Sequence, residues 1–269
     1  MGQAAPPKML RPDVRFPEGV TIPIDLLIAA PEYDEDGYEV GPEATLDSLD
    51  IVLFRGRGPM ARLIELFTWC SYSHIGILIR LSDNRLYILE SVGHADALKC
   101  VFRGNPHCLA AHSVNANTPR VRLVLLRDRL KQYCDDAPPW ARDQIDICIV
   151  KTMFFDPYTR DEAADTLYEF AKRVCGYSYD SSPVHFLRNS YPQLLGASTP
   201  QIDQFVEYTC SQLVAVALLE CRILSATLPV ELIQTPRQFI DGTITNRYCL
   251  NGKLSDMNLH LTVVSELPD

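Results

Sequence analysis

The chain has 269 residues, of which 47% are hydrophobic and 22% charged, so it can bury a substantial core and is too apolar for wholesale disorder. Its 34 acidic residues outnumber the 25 basic ones and give a formal net charge of −9, which opposes binding to the phosphate backbone of nucleic acids. No apolar run approaches the roughly 18 residues that a membrane-spanning helix needs, so the sequence predicts no transmembrane segment.

The N-terminal residues differ in composition from the rest of the chain. Residues 1–45 contain seven prolines and an acidic run at 32–36, and they show no sustained hydrophobic period. We expect a proline-rich N-terminal arm over residues 1–45 that lies on a single domain over residues 46–269. Such an arm is also a candidate docking element for another protein.

Strands and a helix are predicted in the first part of the domain. The apolar run at 50–54 is ended by the glycine-bearing segment GRGP, which is typical of a buried strand. Residues 74–81 and 85–91 alternate in polarity on either side of a short polar link, which predicts a β-hairpin. Between these segments, helical spacing of apolar side chains predicts a helix that contains Met60, Leu63, Ile64 and Phe67.

The link of the hairpin determines which side chains face each other. If Leu81 pairs with Arg85 across a three-residue link, then Gly76 lies directly opposite Glu90. His74 then lies diagonally across from Glu90 on the same face, at about 7–8 Å between backbones, which long side chains can span. A two-residue link would break this parity and place the two side chains on opposite faces.

A strand and a helix are predicted further along the chain. Residues 121–126 have the pattern of a strand, whereas 95–119 have mixed polarity and allow no assignment. The spacing Thr159-x-x-Glu162 is that of a capping box, and Gly176 is typical of a helix C-terminus. Together they predict a helix over residues 160–175.

Cys210 is a candidate nucleophile because a second capping box, Thr209-x-x-Gln212, places it at the first position of a helix. A thiol attacks only as the thiolate, and an ordinary cysteine is mostly protonated at neutral pH. The dipole and unpaired N–H groups of a helix start favour an anion there. We expect a helix to about residue 221 with the sulfur facing a groove, although most free cysteines are simply small buried side chains.

A cysteine nucleophile also needs a histidine base that a third group orients. His74 begins a strand directly after a helix-breaking SYS segment, whereas the other five histidines lie in loop-like or terminal sequence. Glu90 is the candidate third group because of the hairpin parity. The alternative is a histidine at a strand edge and an exposed carboxylate at a strand end, neither of them with a catalytic role.

The cysteines are the other candidate source of chemistry. Nine cysteines form an odd set without a C-x-x-C pair, which is typical of reduced thiols in an intracellular compartment. A zinc site from Cys100, His107, Cys108 and His112 is an alternative, but their spacing matches no common structural zinc pattern. The GRGP turn lacks the Lys-Ser/Thr of a phosphate-binding loop. We expect neither a metal nor a cofactor.

Taken together, these segments resemble the circularly permuted branch of the NlpC-type papain-like superfamily, which includes bacterial amidases and lecithin retinol acyltransferase-like enzymes. The likeness spans roughly residues 46–245, and it is carried by DIVLFRG at 50–56, SYSHIGILI at 71–79, YILES at 87–91, GYSYD at 176–180 and YTCSQLVAVAL at 208–218. It implies an α+β permuted papain-like fold in which an antiparallel sheet or barrel packs against a helix that starts at the nucleophile.

By the same resemblance, Cys210 is the nucleophile, His74 the base and Glu90 the third member of a catalytic triad. The acyltransferase relatives have a second histidine where this chain has Glu90, so the chain is more similar to the amidase-like group. The resemblance implies a cysteine peptidase, amidase or acyltransferase. Bacterial relatives act on cell-wall peptides, but the cysteine pattern of this chain favours a peptide, isopeptide or lipid acyl substrate inside the cell. The alternative is a catalytically silent papain-like module in a larger assembly, such as a virion.

Overall fold

The computed structural model shows a mixed α+β fold. It describes residues 20–29, 32–33, 39–40, 46–56, 61, 65, 70–93, 98–102, 120–136, 144–154, 157–179, 207–227, 235–240, 248–254 and 258–265.

The described strands are β1 (Val20–Pro23), β2 (Glu32–Tyr33), β3 (Glu39–Val40), β4 (Ile51–Phe54), β5 (His74–Arg80), β6 (Leu86–Val92), β7 (Arg120–Leu125), β8 (Gln144–Val150), β9 (Thr152–Phe154), β10 (Ser178–Tyr179), β11 (Glu207–Tyr208), β12 (Gly252–Leu254) and β13 (Leu259–Val264). The described helices are α1 (Ile24–Leu27), α2 (Leu126–Asp135), α3 (Pro157–Val174), α4 (Cys210–Glu220) and α5 (Arg237–Ile240).

Nine of these strands form one sheet in the order β1-β13-β8-β4-β5-β6-β7-β10-β11. Neighbouring strands run antiparallel except for two pairs, β1 with β13 and β10 with β11, which run parallel. The expectation of an antiparallel sheet is therefore wrong at these two pairings, and the described sheet is mixed. The reason lies in the connections, because parallel pairing requires a long connection and each of these pairs joins strands that are distant in sequence.

Part of the predicted N-terminal arm belongs to this sheet. Strand β1 pairs along its whole length with β13, from Val20 opposite Leu261 to Pro23 opposite Val264. The turn of helix that follows it, α1, buries Ile24 and Leu27 in the core. Residues 20–27 therefore pack with the domain, whereas residues 1–19 lie outside the described part of the chain.

Both faces of the sheet are covered by helices. One face packs against α3 and α4, and the other packs against α1 and α2, so that two apolar clusters form. The alternation along the strands divides the side chains between them, and Ile75, Ile77 and Ile79 of β5 all join the cluster beneath α3 and α4. Burial on both faces explains why β4 is apolar at every position rather than alternating.

Most of the predicted elements are confirmed, and one boundary is wrong. The strands expected at 50–54, 74–81, 85–91 and 121–126 correspond to β4, β5, β6 and β7. Helix α3 begins at Pro157, so Thr159 lies inside the helix and is not its N-cap. A proline is well suited to the first helical position, where its missing N–H has no partner to lose. The helix expected around Met60, Leu63, Ile64 and Phe67 lies outside the described residues.

Gly76 of β5 provides a test of the packing beside the predicted triad. A β-carbon at this position would lie 2.6 Å from the Cδ1 and Cγ1 atoms of Ile88 and 3.0 Å from the carbonyl oxygen of Leu89. Ile88 is fully buried and cannot move aside freely. We expect Gly76→Ala to lower the free energy of unfolding by about 1–3 kcal/mol, as overpacking does, measured by urea denaturation.

The steric origin of that loss is tested with a second substitution. Ile88→Val removes one of the two atoms that an alanine at position 76 would strike. In the Gly76→Ala background we expect Ile88→Val to be neutral or stabilising, whereas alone it should cost about 0.5–1.5 kcal/mol. Simple additivity of the two losses would show that the strain lies elsewhere.

Candidate active site

The hairpin brings His74 and Glu90 together as the sequence predicted. Gly76 lies directly opposite Glu90 in the register of β5 and β6, and the link closes with a hydrogen bond from Leu81 N to Arg85 O of 3.1 Å. Since His74 is two residues from Gly76, its side chain points to the same face of the sheet as Glu90. His74 Nε2 and Glu90 Oε2 are 2.7 Å apart. The predicted register and the side-chain contact are therefore confirmed.

Helix α4 presents Cys210 at its first position, also as predicted. The Thr209 side chain accepts a hydrogen bond from Gln212 N at 3.3 Å, and the Gln212 side chain accepts one from Thr209 N at 3.1 Å. This reciprocal pair is a complete capping box, and it satisfies two backbone donors near the helix start. The helix ends at Glu220, one residue before the predicted position.

The thiol of Cys210 points toward His74 and not only toward aliphatic side chains. The Cys210 and His74 side chains are hydrogen-bonded to each other, and the backbone of Ile75 also contacts the thiol. Because Glu90 already occupies Nε2 of the ring, Nδ1 is the nitrogen that remains for the thiol. Cys210 is 9% exposed, and the groove predicted around its sulfur stays a prediction.

The pKa values of His74 and Cys210 are shifted in opposite directions. Burial would lower the pKa of His74, but its hydrogen bonds to Cys210 and Glu90 outweigh burial and raise the pKa. Burial would raise the pKa of Cys210, but the hydrogen bond and charge of His74 outweigh it and lower the pKa. These directions favour a thiolate next to an imidazolium, which is the reactive form of a cysteine nucleophile.

Ser211 is a further polar neighbour of the thiol. Its nearby side chain lowers the pKa of Cys210. The hydroxyl is buried, and its geometry gives it no hydrogen-bond partner among the residues that the structure describes. Ser211 directly follows Cys210 in the first turn of α4.

Two arginines that the sequence analysis missed clamp the Glu90 carboxylate. Arg122 donates from Nε and from a terminal nitrogen to Glu90 Oε1 at 2.9 and 2.8 Å. Arg129 donates from Nε to Glu90 Oε2 at 3.0 Å. With His74, the fully buried carboxylate therefore has four hydrogen bonds from three side chains.

The clamp keeps Glu90 ionised. Burial would raise the pKa of this carboxyl, but the charges of Arg129 and Arg122 and the hydrogen bond to His74 hold it well below its usual range. An ionised Glu90 can accept a hydrogen bond from the Nε2–H group of His74, and it stabilises the protonated ring. The two arginines therefore act on the nucleophile indirectly, through Glu90 and His74.

An aromatic wall flanks His74 on the same face of the sheet. Phe54 lies opposite His74 in the register of β4 and β5, with ring centroids 5.8 Å apart. The ring of Tyr133, from α2, stacks on Phe54 with centroids 4.7 Å apart and an interplanar angle of 12°. Arg129 donates to the Tyr133 hydroxyl at 3.3 Å and so connects this wall to Glu90.

The alternative zinc site would use Cys100, His107, Cys108 and His112. Cys100 is buried, and its sulfur accepts a hydrogen bond from Leu123 N at 3.5 Å. His107, Cys108 and His112 lie outside the described residues. Within the described ranges, no three His, Cys, Asp or Glu side chains group in a way that could hold a metal ion. No disulfide joins any of the eight cysteines that the structure describes.

No helix in the described ranges is both long enough and apolar enough to cross a bilayer.

Comparisons with solved structures give a structural likeness. No family model and no curated protein matches the chain. The chain is similar to the crystal structure of metalloprotein yiiX from Escherichia coli O157:H7, DUF1105, at 18% sequence identity and a TM-score of 0.35. The match covers 82% of this chain and 98% of that one. A likeness at this TM-score carries no conclusion about fold or function.

Proposed function

We propose that this protein is a cysteine-dependent hydrolase or acyltransferase of circularly permuted papain-like fold. The observation that carries the proposal is the hydrogen-bonded series Glu90, His74 and Cys210, in which the pKa of the base is raised and that of the thiol lowered. Residues from two distant parts of the chain thus come together, and their pKa shifts are those that nucleophilic catalysis needs.

The reaction steps follow from a thiolate at Cys210 and an imidazolium at His74. The Cys210 thiolate attacks the carbonyl carbon of an amide, ester or thioester, and an S–C bond forms while the bond to the leaving group breaks. His74, as imidazolium, gives its Nδ1 proton to the leaving group, and later accepts a proton from water or another acceptor that resolves the acyl-enzyme. Glu90 holds the ring in place through Nε2 and stabilises its positive charge.

The proposed substrates include several classes of acyl compound. A peptide, isopeptide or lipid acyl group is consistent with the reaction, and an intracellular setting is consistent with the lack of disulfides among the described cysteines. Docking through residues 1–19 of the arm remains part of the proposal.

The proposal is tested by trapping an acyl-enzyme. A panel of acetyl, longer-chain fatty acyl and aminoacyl p-nitrophenyl esters and thioesters is incubated with the protein, and intact-protein and peptide mass spectrometry locate the added mass. We expect acylation of the wild type at Cys210 and none in Cys210→Ala. Cys221→Ala, which removes another buried cysteine, is the control and should be acylated normally.

A catalytically silent module gives a different outcome. In that case Cys210 would take up no acyl group from any donor, and its rate of alkylation would match that of an ordinary buried thiol. Such a result would contradict the proposed function and favour a binding or structural role.

A further inference from the structure

We propose that Ser91 is a positioning residue, whose hydroxyl fixes the segment that leads into Cys210 against the strand that carries Glu90. This inference rests on the proposed function, because it concerns how the nucleophile of that reaction is held beside its base. Since Ser91 is fully buried, it acts through the nucleophile and does not touch the substrate.

The contact that carries the inference is a buried hydrogen bond between distant parts of the chain. The Ser91 hydroxyl donates to the carbonyl oxygen of Tyr208 at 2.7 Å, although the two residues are 117 positions apart in the sequence. Both residues are buried. Tyr208 ends β11 and directly precedes the N-cap Thr209 and the nucleophile Cys210. The hydrogen bond therefore holds the chain just before the residue that carries the reacting sulfur.

The place of β11 in the sheet shows what this hydrogen bond accomplishes. Strand β11 is separated from β6 by β7 and β10 in the order β6-β7-β10-β11. Because neighbouring strands lie about 4.7–4.9 Å apart, a flat sheet would place β11 roughly 14 Å from β6. The contact of 2.7 Å between Ser91 and Tyr208 means that the sheet curves and brings β11 over the face of β6. The hydrogen bond closes this curve.

The backbone pairing of β11 gives it little support of its own. It pairs with β10 over Glu207–Tyr208, and β10 in turn pairs with β7 at Ser178 opposite Arg120. Ladders as short as these are only marginally stable without further packing. Strand β6, in contrast, pairs over several residues with both β5 and β7. The Ser91 hydroxyl therefore anchors a weakly paired segment directly to a strand inside the sheet.

Neighbouring residues of β6 hold the two halves of the proposed triad. Successive side chains of a strand point to opposite faces of the sheet. Glu90 points to the face that carries His74, and the two side chains are 2.7 Å apart there. Ser91 points to the face on which α4 packs, and Tyr208 and Cys210 belong to the apolar cluster on that face. Strand β6 therefore orients the base through one residue and places the nucleophile through the next.

Removal of the Ser91 hydroxyl should loosen the contact between Cys210 and His74 without changing either side chain. Ser91→Ala takes the donor away from the buried carbonyl of Tyr208, so that β11 can shift away from β6. A hydrogen bond weakens steeply as its partners move apart or out of line. Because the hydrogen bond to His74 lowers the pKa of Cys210, the thiol pKa should then move back toward its ordinary value.

The test follows the alkylation of Cys210 by iodoacetamide across a pH series, with peptide mass spectrometry as the readout. In Ser91→Ala we expect the midpoint of the rate to rise by about one pH unit, toward the value of about 8.5 of an ordinary thiol. Ser91→Thr keeps a hydroxyl at the same position and should retain the wild-type midpoint.

Thr152→Val is the matched control for the loss of a buried hydroxyl. The Thr152 hydroxyl also donates to a buried backbone carbonyl at 2.7 Å, that of Leu49, and it is not part of the proposed triad. Urea denaturation should show similar losses of stability in Ser91→Ala and Thr152→Val, because each variant loses one buried hydrogen bond of the same kind. Only Ser91→Ala should shift the midpoint of alkylation.

Each other outcome is decisive. A wild-type midpoint in Ser91→Ala would overturn the positioning role and leave the proposed function intact. Equal shifts in Ser91→Ala and Thr152→Val would also overturn it, because the shift would then reflect a general loss of stability. A shift in Ser91→Thr as large as in Ser91→Ala would show that the hydroxyl is not responsible. If the wild-type midpoint itself is not lowered, the proposed function fails, and the inference fails with it.

Discussion

We expect replacement of His74 by alanine to cause the largest loss of function that any single substitution outside Cys210 can produce. The imidazole lowers the pKa of Cys210, so without it the thiol returns to an ordinary or higher pKa, with at most a few per cent thiolate at pH 7. Alkylation of Cys210 at neutral pH should fall by about tenfold or more. Turnover of any acyl substrate should fall by about 10²–10⁴-fold, since the acid and base are also lost.

Glu90→Gln is the matched comparison for this variant. The glutamine retains the shape of the side chain but not the charge, so it can still orient His74 while it stabilises the imidazolium less. We expect a clear but smaller loss of turnover than in His74→Ala. Equal losses would mean that Glu90 does more than orient the ring, and unchanged turnover in both variants would remove the triad from the mechanism.

The largest loss of stability should come from the arginine clamp. Arg122→Met replaces a buried guanidinium that donates twice to Glu90 with an apolar side chain of similar length. Because this leaves a fully buried carboxylate with fewer compensating charges, we expect the free energy of unfolding to fall by about 3–5 kcal/mol. Chemical denaturation at pH 7 measures this directly.

An exposed ion pair of similar geometry provides the control for that loss. Arg173 and Glu220 are 2.7 Å apart, but their side chains are 61% and 36% exposed. Exposed pairs of this kind contribute at most about 1 kcal/mol, so Arg173→Met should change stability little. Comparable losses in the two variants would show that the clamp is no more important than a surface pair.

The sequence predicted well those structural features that depend on neighbouring residues in the chain. The three-residue link between β5 and β6 determines the register in which Gly76 faces Glu90, and the pattern Thr209-x-x-Gln212 determines where α4 begins. Both depend on residues that are close in the chain. The contact between His74 and Cys210 is not local, and it was expected only because the segments together resemble a known superfamily.

The arginine clamp could not be predicted because it depends on pairings between distant segments. Arg122 reaches Glu90 because β7 lies next to β6, with the two residues directly opposite each other. The sequence between these strands has no clear pattern, so the register of β6 against β7 could not be predicted. The available signal was the pair Arg120 and Arg122, which are two residues apart and therefore lie on the same face of β7.

Arg129 and Tyr133 were missed for a different reason. Helix α2, which carries both, begins directly after β7 with Leu125 as its N-cap and without a side-chain capping hydrogen bond. The usual sequence signal of a helix start is therefore absent. Strand β8 was missed as well, although it lies inside the sheet, between β13 and β4. Neither segment has a counterpart in the resemblance.

The pH dependence of Cys210 alkylation tests the central claim most directly, because it reports the thiolate without any assumption about the substrate. The rate of carbamidomethylation of Cys210 by iodoacetamide is followed by peptide mass spectrometry across a pH series. Thiolate forms as the pH rises through the thiol pKa, so a lowered pKa moves the midpoint of the rate to lower pH. We predict a midpoint clearly below the value of about 8.5 for an ordinary thiol, which returns to about 8.5 or higher in His74→Ala. A wild-type midpoint at or above about 8.5, unchanged in His74→Ala, would contradict the thiolate–imidazolium pair and the function proposed from it.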